Sequence, residues 1–455
     1  MITTELADPG YRRDLGNGLM LRWSTPEDTE AIARLAGTVF RDRARDPFNV
    51  PLANHMHDLM SGRHPVMGPG DFALVEDTHK AGNRLVACTC LWRHTWEYEG
   101  IPFRIGRPEI VASDPDYRHR RLIRAVFELI HARSEAEGHL VQAITGIPYY
   151  YRLFGYEYAL DLGGRCSTYI SQIPAAQEGI PEPFTLRDAT EADIPMLQHL
   201  YNRPRASSIV SGPIDEAWWR YQFATWRTSE SGEGWHTQII TGADGHAQGY
   251  LITLTMRWGR NLPVFDMAFA DGVNVQAIVL PLLRALASQG ATMPVRDADP
   301  EPFSRIMFML GRSHPLYDVL GKDLANSIEA PYAWYVRVAH LPAFLRHIAP
   351  ALEQRLAHSI VAGYSGELTF DFYRGGLRMV FERGKLTTVE DWRCPIWDAN
   401  PDTRFPPLVF LQVLFGYRSL DALRAAFPDV RVNDNVEALM KALFPCRPSW
   451  VLPLG

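Results

Sequence analysis

The central part of the chain alternates between two hydrophobic periods. Short extended runs at Glu109–Ala112 and Leu140–Ile144 enclose a segment whose apolar residues recur at helical spacing. The apolar face of that segment consists of Leu122, Val126, Leu129 and Ile130. Pro115 ends the first run because proline lacks a backbone donor, and Gly138 suits the helix end because glycine adopts the left-handed cap conformation easily. The pattern predicts a strand, a loop, a helix and a second strand.

The residues before this stretch predict a similar unit. Ser24 and Thr25 offer helix caps, and Pro26 suits a first helical position. The predicted helix has an apolar stripe of Ile32, Leu35 and Val39, and the predicted strands are Gly18–Trp23, Phe72–Glu76 and Arg84–His94. The proline-containing segment 47–70 is expected to be irregular, and long connections of this type often carry function.

The first strand and its helix cap recur later in the chain. Residues 21–28 read L-R-W-S-T-P-E-D, and residues 186–193 read L-R-D-A-T-E-A-D, an offset of 165. Further strands are predicted at Thr237–Thr241, Tyr250–Met256 and Val264–Ala270, and a helix at Val275–Ala287. The repeat predicts a second copy of the unit.

The C-terminal part follows a different pattern. A helix at Leu341–Ala357 is interrupted near Pro350. Apolar residues then alternate on both sides of an R-G-G turn, which indicates a β-hairpin. Three short helices are predicted at Leu408–Phe415, Leu420–Phe427 and Val436–Leu443. Strands followed by helices are typical of an α+β domain.

Composition narrows the class of protein. The chain has 455 residues, of which 46% are hydrophobic and 22% charged, as in a soluble globular protein. The net charge of −6 argues against nucleic-acid binding, which would require a strong basic excess. Neither a signal sequence nor an apolar run near the ~20 residues of a membrane span is found, and five cysteines without framework spacing fit a reducing compartment. We therefore expect a cytoplasmic protein.

Cys88 and Cys90 lie on the same face of a predicted strand. Thiols can bind zinc, but the chain shows no complementary Cys/His pair. Both residues are therefore predicted to be core residues, and no metal site is expected.

Positive charge is concentrated at the start of the central helix. The residues concerned are Arg118, His119, Arg120, Arg121 and Arg124. A helix dipole disfavours cations at this end by roughly 0.3–1 kcal/mol each, whereas free N–H groups together with arginines bind phosphate well. Two interpretations follow: an anion-binding site and a solvated basic patch.

The basic segment is followed by a distinctive aromatic turn. Residues 117–124, Y-R-H-R-R-L-I-R, and residues 151–156, Y-R-L-F-G-Y, together resemble the acetyl-CoA signature of GNAT acetyltransferases, and most closely the Eis-type (enhanced intracellular survival) family. The resemblance implies acetyl-CoA contacts by Val111, Ala112, Ser113, Arg118, His119, Arg120, Arg121, Leu122 and Ile123. One departure is Arg121, which stands where the family loop has glycine, a residue that lets phosphate approach the backbone closely.

The resemblance also implies a general acid. In the family, the tyrosine of the Y-x-x-F-G-Y turn has this role, which here is Tyr151. Hydrogen-bond donation from a phenol is favourable as charge develops on the leaving sulfur. The residues alone do not distinguish Tyr151 from its neighbours Tyr149, Tyr150, Tyr156 and Tyr158, and a buried core tyrosine is the alternative.

Two carboxylates are candidates for the base that accepts the amine proton. Glu109 precedes the cofactor loop, where some GNAT enzymes keep a carboxylate, and a structural role is the alternative. In Eis-type enzymes the C-terminal carboxylate enters the active site, which here belongs to Gly455. The preceding S-W-V-L-P-L predicts a docked tail, either at that site or against the third domain alone. Asp42 matches an acidic position of the family's substrate cleft, although a solvated aspartate is the usual interpretation.

The resemblance covers nearly the whole chain and implies its architecture. The expected fold is mixed α/β or α+β, with a catalytic GNAT domain at 1–178, a degenerate GNAT-like domain at 179–340 and a sterol-carrier-like α+β domain at 341–455. The second domain lacks the basic loop and the aromatic turn, so it is predicted to be a scaffold that binds no CoA.

The implied activity is acetyl transfer from acetyl-CoA to a primary amine in a ternary complex. The family suggests an aminoglycoside-like, polyamine or lysine amine as acceptor, no metal, no nucleic-acid partner, and a homo-oligomer, often a hexamer. The alternative function is a non-catalytic CoA- or lipid-binding regulatory protein, suggested by Arg121 and by the unusual C-terminal residue Gly455.

Overall fold

The computed structural model describes residues 2–41, 46–179, 182–225, 234–295, 301–394 and 400–453. In these ranges the helices are α1 (Ile2–Leu6), α2 (Thr29–Val39), α3 (Val50–Leu59), α4 (Leu122–Ala136), α5 (Ile194–Arg205), α6 (Glu216–Thr225), α7 (Val275–Thr292), α8 (Pro315–Leu324), α9 (Leu341–His347), α10 (Ala349–Ala357), α11 (Phe410–Leu414), α12 (Leu420–Ala426) and α13 (Asp434–Leu443). None of the helices described has the length and apolar character needed to cross a membrane.

The strands in the same ranges form three sheets and make the fold mixed α/β, as predicted. They are β1 (Arg12–Gly16), β2 (Leu19–Trp23), β3 (Phe72–Asp77), β4 (Leu85–Tyr98), β5 (Ile101–Ser113), β6 (Val141–Ile144), β7 (Glu157–Leu162), β8 (Arg165–Tyr169), β9 (Phe184–Asp188), β10 (Val210–Ser211), β11 (Trp235–Gly242), β12 (Ala247–Leu254), β13 (Asn261–Phe269), β14 (Arg305–Phe308), β15 (Ser327–Glu329), β16 (Tyr332–Arg337), β17 (Gly366–Asp371), β18 (Gly376–Glu382), β19 (Lys385–Asp391), β20 (Thr403–Arg404) and β21 (Arg431–Val432).

The first sheet carries the elements that the central pattern predicted. Its order in the described chain is β1-β2-β3-β4-β5-β6-β16-β7, with β10 paired to β4. Helix α4 packs on this sheet through Val126, Leu129 and Ile130, which are fully buried in one cluster with Leu21. The predicted strand, helix and strand are confirmed, and β5 begins earlier than the predicted Glu109–Ala112.

The first two sheets exchange one strand each, β8 and β16. β16 follows the second sheet's segment in the chain but lies in the first sheet between β6 and β7, where Tyr335 pairs with Ile144 and Tyr158. β8 directly follows β7 in the chain but lies in the second sheet between β15 and β14. No single boundary along the sequence separates strands that are exchanged in this way.

The second sheet begins with the same capped turn as the first. Its order in the described residues is β15-β8-β14-β13-β12-β11-β9. Thr25 with Asp28, and Thr190 with Asp193, each form a reciprocal capping box ahead of a helix. In both copies the aspartate also pairs with an arginine six residues earlier at 2.7 Å. The predicted repeat of the strand and its capped helix start is therefore confirmed.

The C-terminal part forms the third sheet, with order β19-β18-β17-β20-β21, and helices α9 to α13. The predicted hairpin is β17–β18, in which Leu368 pairs with Met379. The predicted break near Pro350 separates α9 from α10. The apolar core of this unit is continuous with Trp96 and Tyr98 of β4, so the unit packs directly on the first sheet.

One prediction about the N-terminal part was wrong. Segment 47–70 contains helix α3 and is not irregular throughout. The Asn49 side chain caps the helix by accepting a hydrogen bond from the Leu52 N–H at 3.1 Å. Pro51 lies in the first turn, where its missing N–H would have no intrahelical partner. Met56 is fully buried against the α2 residue Ile32, which fixes the helix on the first unit.

Candidate active site

The first sheet opens between β5 and β6. These parallel strands are paired only at Ile105–Val141 and Gly106–Gln142. Beyond these pairs β5 continues to Ser113, so the carboxyl ends of the strands diverge. Ligands of open α/β sheets bind outside the carboxyl ends of parallel strands. The divergence therefore provides a cleft beside residues 107–113.

A β-bulge reshapes the β5 side of this cleft. Cys88 pairs with Ala112 and Cys90 pairs with Glu109, which leaves two residues of β5 opposite one of β4. Within the bulge Ile110 has φ 51°, which is unusual for a β-branched residue. Bulges redirect the backbone groups around them and are frequent beside active sites. Of the predicted donors, Val111 is the second residue of this bulge, and Ala112 and Ser113 follow it directly.

The basic residues mostly precede α4 and do not lie within it. The helix begins at Leu122, so only Arg124 lies in its first turn, which corrects the expected placement. Arg118, His119, Arg120 and Arg121 are all exposed in the preceding loop. No described carboxylate pairs with Arg118 or Arg121. These two guanidinium groups are therefore available to an anion at the helix start.

Arg121 adopts the backbone conformation that glycine favours. Its φ is 61° and its ψ is 17°, and His119 likewise has φ 65°. The left-handed region costs a non-glycine residue roughly 1–2 kcal/mol. The loop thus keeps a glycine-like backbone path although an arginine occupies the position.

The other predicted cofactor residues differ in their surroundings. The Arg120 guanidinium lies 4.6 Å from the centre of the Tyr117 ring, and its Nη2 donates to the Asp116 carbonyl oxygen at 3.3 Å. Leu122 is buried and Ile123 is half-buried. These two residues can therefore contribute backbone N–H groups at the helix start but no exposed apolar side chain.

Tyr151 is buried on the other side of the cleft. It lies in a short 3-10 helix, Tyr150–Phe154, that follows β6, and only 6% of it is exposed. Its hydroxyl makes no hydrogen bond to the residues that the structure describes. Burial, and then the charge of Glu109, raise its pKa above the ordinary value. The phenol therefore stays protonated at neutral pH and can act as a donor.

Glu109, which is half-buried, forms an ion pair with the buried Arg107 on the same face of β5. Arg107 Nη2 donates to Glu109 Oε1 at 2.7 Å, and the Arg107 guanidinium lies 5.1 Å from the centre of Trp92 and 4.9 Å from that of Trp334. Burial raises the pKa of Glu109, and Arg107 partly opposes this shift. Sequence reasoning did not identify Arg107, because an arginine in a strand has no local sign of a buried partner.

Three tyrosines hold the loop that leads into the 3-10 helix. The Tyr335 hydroxyl donates to the Ile147 carbonyl oxygen at 3.2 Å, and the Tyr332 hydroxyl donates to the Gly146 carbonyl oxygen at 3.1 Å. Both hydroxyls also lie 2.6 Å from that of Tyr158. Two of the three residues come from the exchanged strand β16, so no local sequence signal identified them.

Two predicted site residues, Asp42 and Gly455, lie outside the described residues. The tail that precedes Gly455 is docked, as predicted, through Ser449, Val451 and Leu452, which are all buried. The Trp450 N–H donates to the Val210 carbonyl oxygen at 2.9 Å.

The docking surface of the tail involves the first two units. Val451 belongs to one buried cluster with Trp96 of β4, and Leu452 belongs to another with residues of α2 and α5. The alternative of docking against the third unit alone is therefore wrong.

Metal ligands do not cluster in the described part of the chain. No group of three or more His, Cys, Asp or Glu side chains there could hold a metal ion. Cys88 and Cys90 are fully buried in the core, as predicted, and burial raises the pKa of both thiols.

Comparison with known families agrees with this geometry. Residues 21–159 match the model of the acetyltransferase (GNAT) domain. This range contains most of β2, all of β3 to β6, the bulge, the basic loop, α4 and Tyr151. A search of curated proteins found no match.

Solved structures extend the likeness to nearly the whole chain. A conserved protein from Enterococcus faecalis, described as a probable N-acyltransferase, shares 14% identity over 96% of this chain and 100% of its own, with a TM-score of 0.66. A GCN5-related N-acetyltransferase from Anabaena variabilis shares 14% over 95% and 99%, with a TM-score of 0.61. Eis1 from Mycobacterium abscessus shares 14% over 95% and 99%, with a TM-score of 0.58. At such identities the likeness shows the fold. The match over residues 21–159 thus identifies an acetyltransferase domain of the GNAT class, which supports an acyltransferase activity for the protein.

Proposed function

We propose that the protein is an acetyl-CoA-dependent N-acetyltransferase that transfers an acetyl group directly to a primary amine in a ternary complex. The observation that carries the proposal is that Tyr151 lies within the electrostatic influence of Glu109 at the β5–β6 cleft. Tyr151 is a buried residue whose hydroxyl has no described hydrogen-bond partner, and the charge of Glu109 acts on it. A protonated donor and a carboxylate at one cleft are the groups that acyl transfer to an amine requires.

The residues around the cleft fit acetyl-CoA, which supplies an activated acetyl thioester when bound. Arg118 and Arg121 would hold phosphate groups together with the free N–H groups at the start of α4. Backbone N–H groups of Val111 to Ser113, directed by the bulge at Ile110, would donate to the thioester oxygen. The exposed loop and its glycine-like backbone at Arg121 support this assignment.

Acid and base are assigned to different groups. Tyr151 donates a hydrogen bond to the sulfur as it leaves, because its raised pKa keeps the proton in place until that charge develops. Glu109 accepts the proton of the attacking amine, directly or through water. The carboxylate of Gly455 remains the second candidate for the base, because its tail docks on the first two units through Val451 and Leu452. Asp42 is proposed to bind the acceptor amine.

The acceptor class follows from the family resemblance. It is an aminoglycoside-like amine, a polyamine or a lysine side chain, and the overall likeness to Eis1 from Mycobacterium abscessus supports a search among these amines. The same resemblance leads us to propose a sterol-carrier-like role for the third sheet and its helices, a cytoplasmic location and a homo-oligomer, with the hexamer as the form to test by sedimentation.

Acceptor-dependent thiol release tests the proposal. Acetyl-CoA is mixed with the protein and with polyamines, aminoglycosides or lysine peptides, and free CoA is measured with a thiol reagent. We expect release that depends on at least one amine and is lost in Tyr151→Phe. Binding of acetyl-CoA without release for any amine would instead favour the non-catalytic CoA- or lipid-binding function.

A further inference from the structure

A second cleft opens in the second sheet, at the equivalent place in the repeated unit. Parallel strands β13 and β14 pair from Asn261–Arg305 to Val264–Phe308, and β13 then continues to Phe269. A cavity of about 890 Å³ lies beyond the last pair, bordered by the end of β13 and the residues after β14. Small-molecule sites typically measure about 300–1,000 Å³. The cavity is therefore large enough for a ligand of its own.

The charged residues around this cavity already have partners. Its four arginine–carboxylate pairs are Arg165–Glu329, Arg203–Asp271, Arg205–Asp266 and Arg312–Asp161. An anionic ligand would have to displace a carboxylate from one of these guanidinium groups. Burial also lowers the pKa of His314, so this lining imidazole is neutral. The lining thus offers no uncompensated charge among the side chains described.

The helix beside this cavity is not arranged to bind phosphate. The Asn274 side chain accepts a hydrogen bond from the Ala277 N–H at 3.3 Å and so caps α7 with the chain's own oxygen. The loop before it carries Asp271, whereas the equivalent loop of the first unit carries exposed arginines. A nucleotide such as that of CoA would therefore lack the cations and N–H groups that hold it in the first cleft.

Most of the remaining lining is apolar. The large apolar side chains of the sheet and its loops include Trp258, Phe265, Met267, Phe269, Met309 and Leu310. Removing apolar surface from water stabilises a bound ligand in proportion to the area buried. A charged group placed among these side chains without a partner would be strongly disfavoured. The chemistry of the lining thus selects an uncharged ligand.

The C-terminal tail forms one wall of the cavity. Residues 448–453 line it, and the Trp450 indole lies against Gly311 so closely that a Cβ at Gly311 would come within 1.9 Å of Cζ3 of the indole. The Arg205 guanidinium lies 5.4 Å from the centre of the same indole. The wall is held in place by the backbone pairing of Trp450 with Val210. This side of the cavity is therefore formed by a docked part of the chain.

We propose that this cavity is a binding site for an uncharged, largely apolar small molecule, separate from the acetyl-CoA cleft of the first unit. The site lies where β13 and β14 diverge in the repeated unit. In place of the basic loop of the first unit, it has arginines that are paired with carboxylates and an apolar lining. It stands independently of the acetyl-transfer function proposed above.

Titration of the full-length protein with the fluorescent probe N-phenyl-1-naphthylamine tests the proposal. We expect saturable fluorescence enhancement, displacement by 1-dodecanol, and weaker displacement by dodecanoate, whose carboxylate would be buried without a partner. Saturating acetyl-CoA should leave probe binding unchanged. Absence of saturable binding, preferential displacement by dodecanoate, or competition by acetyl-CoA would each overturn the assignment.

Cavity-filling variants locate the probe. Ala270→Phe and Val273→Trp add bulk at two lining positions, and we expect each to weaken probe binding by about tenfold or more, the scale of overpacking a filled site. Ala136→Phe adds the same side chain as the first variant at an exposed position on α4 and should bind the probe normally. Normal binding by a folded Ala270→Phe or Val273→Trp variant, judged by circular dichroism, would place the probe elsewhere and refute the site.

Discussion

The ring of Tyr335 lies 5.4 Å from that of Tyr151, centre to centre, with the planes at 71°. Tyr335 belongs to the exchanged strand β16 and lies 184 positions after Tyr151 in the chain (335 − 151). Such an edge-on contact is a favourable arrangement for two aromatic rings. The candidate acid of the first unit is therefore positioned in part by a strand that follows the second unit.

Replacement of this positioning ring should destabilise the first sheet. Tyr335→Ala removes a fully buried aromatic side chain and should lower the free energy of unfolding by about 3–5 kcal/mol. Tyr335→Phe keeps the ring and loses only the hydrogen bonds to Ile147 and Tyr158, so a cost of about 1 kcal/mol is expected for each. Thermal unfolding monitored by circular dichroism measures both. Equal melting temperatures for wild type and Tyr335→Ala would contradict the packing argument.

Loss of the Tyr151 hydroxyl should affect the chemical step and spare cofactor binding. We expect Tyr151→Phe to lower kcat by roughly 10²–10⁴-fold, the range of a positioned general acid. Acetyl-CoA affinity, measured by calorimetry, should change little because the ring remains. Tyr150→Phe is the matched control, since Tyr150 is the adjacent, half-buried tyrosine of the same 3-10 helix. A large loss of kcat in Tyr150→Phe with none in Tyr151→Phe would show that the assignment of the acid to Tyr151 is wrong.

The basic loop should contribute to acetyl-CoA affinity through Arg118. Arg118→Ala is expected to weaken binding by about 1.5–3 kcal/mol, the scale of a hydrogen bond to a charged group. Calorimetry measures the change, and Arg12→Ala on β1 is a control with a similar loss of charge away from the loop. If Arg118→Ala binds acetyl-CoA with unchanged affinity, the basic loop is a solvated patch and not an anion-binding site.

Substitution of Arg121 separates its backbone role from its side-chain role. Arg121→Gly should raise the free energy of unfolding by up to about 1 kcal/mol, because glycine adopts φ 61° without strain. Its acetyl-CoA affinity should fall if the guanidinium holds phosphate, as proposed, and Arg121→Ala should lose affinity similarly while keeping the strain. Tighter binding by Arg121→Gly would show that the arginine obstructs the loop.

The pH dependence of the reaction should report Glu109. Burial raises its pKa above the ordinary 4.5, so the base form is lost at a higher pH than for an exposed glutamate. We expect kcat/KM to fall as pH drops through this raised pKa, and Glu109→Gln to remove that limb and lower the plateau. The free energy of unfolding should depend on pH in the opposite direction to kcat/KM. Because the pKa of Glu109 is raised in the folded state, folding favours its protonated form. The contribution of this carboxyl to stability is therefore largest below pH 4.5 and declines as pH rises through the raised pKa. If the acidic limb of the kcat/KM profile is unchanged in Glu109→Gln, Glu109 is not the base, and the carboxylate of Gly455 becomes the candidate.

The C-terminal carboxylate can be tested without disturbing the docked tail. Amidation of Gly455 removes its charge, and a few appended glycines move that charge while Ser449–Leu452 keep their contacts. If the carboxylate acts as base or binds the amine, both changes lower kcat with an unchanged melting temperature. Full activity in both variants would show that the tail only packs against the protein, and Glu109 would then be the base.

Local pattern was sufficient to identify most of the elements. The helical period of Leu122 to Ile130, the alternation around the β17–β18 turn and the capped repeats at Thr25 and Thr190 depend on residues close in sequence, and the structure has each of them. Helix α3 was missed because the prolines of segment 47–70 were interpreted as breaks, although Pro51 lies in the first turn of the helix, where proline is tolerated.

The sequence by itself determined the element order, the repeat and the two motifs that point to acetyl-CoA, because each is carried by neighbouring residues. Only the tertiary structure decided which distant residues meet. The exchange of β8 and β16 placed Tyr335 on Tyr151, burial and pairing on β5 set the charge state of Glu109, and divergence of β13 from β14 opened a second cavity. Contacts across nearly 200 residues and the desolvation of a carboxyl depend on how the sheets pack, which no local period encodes.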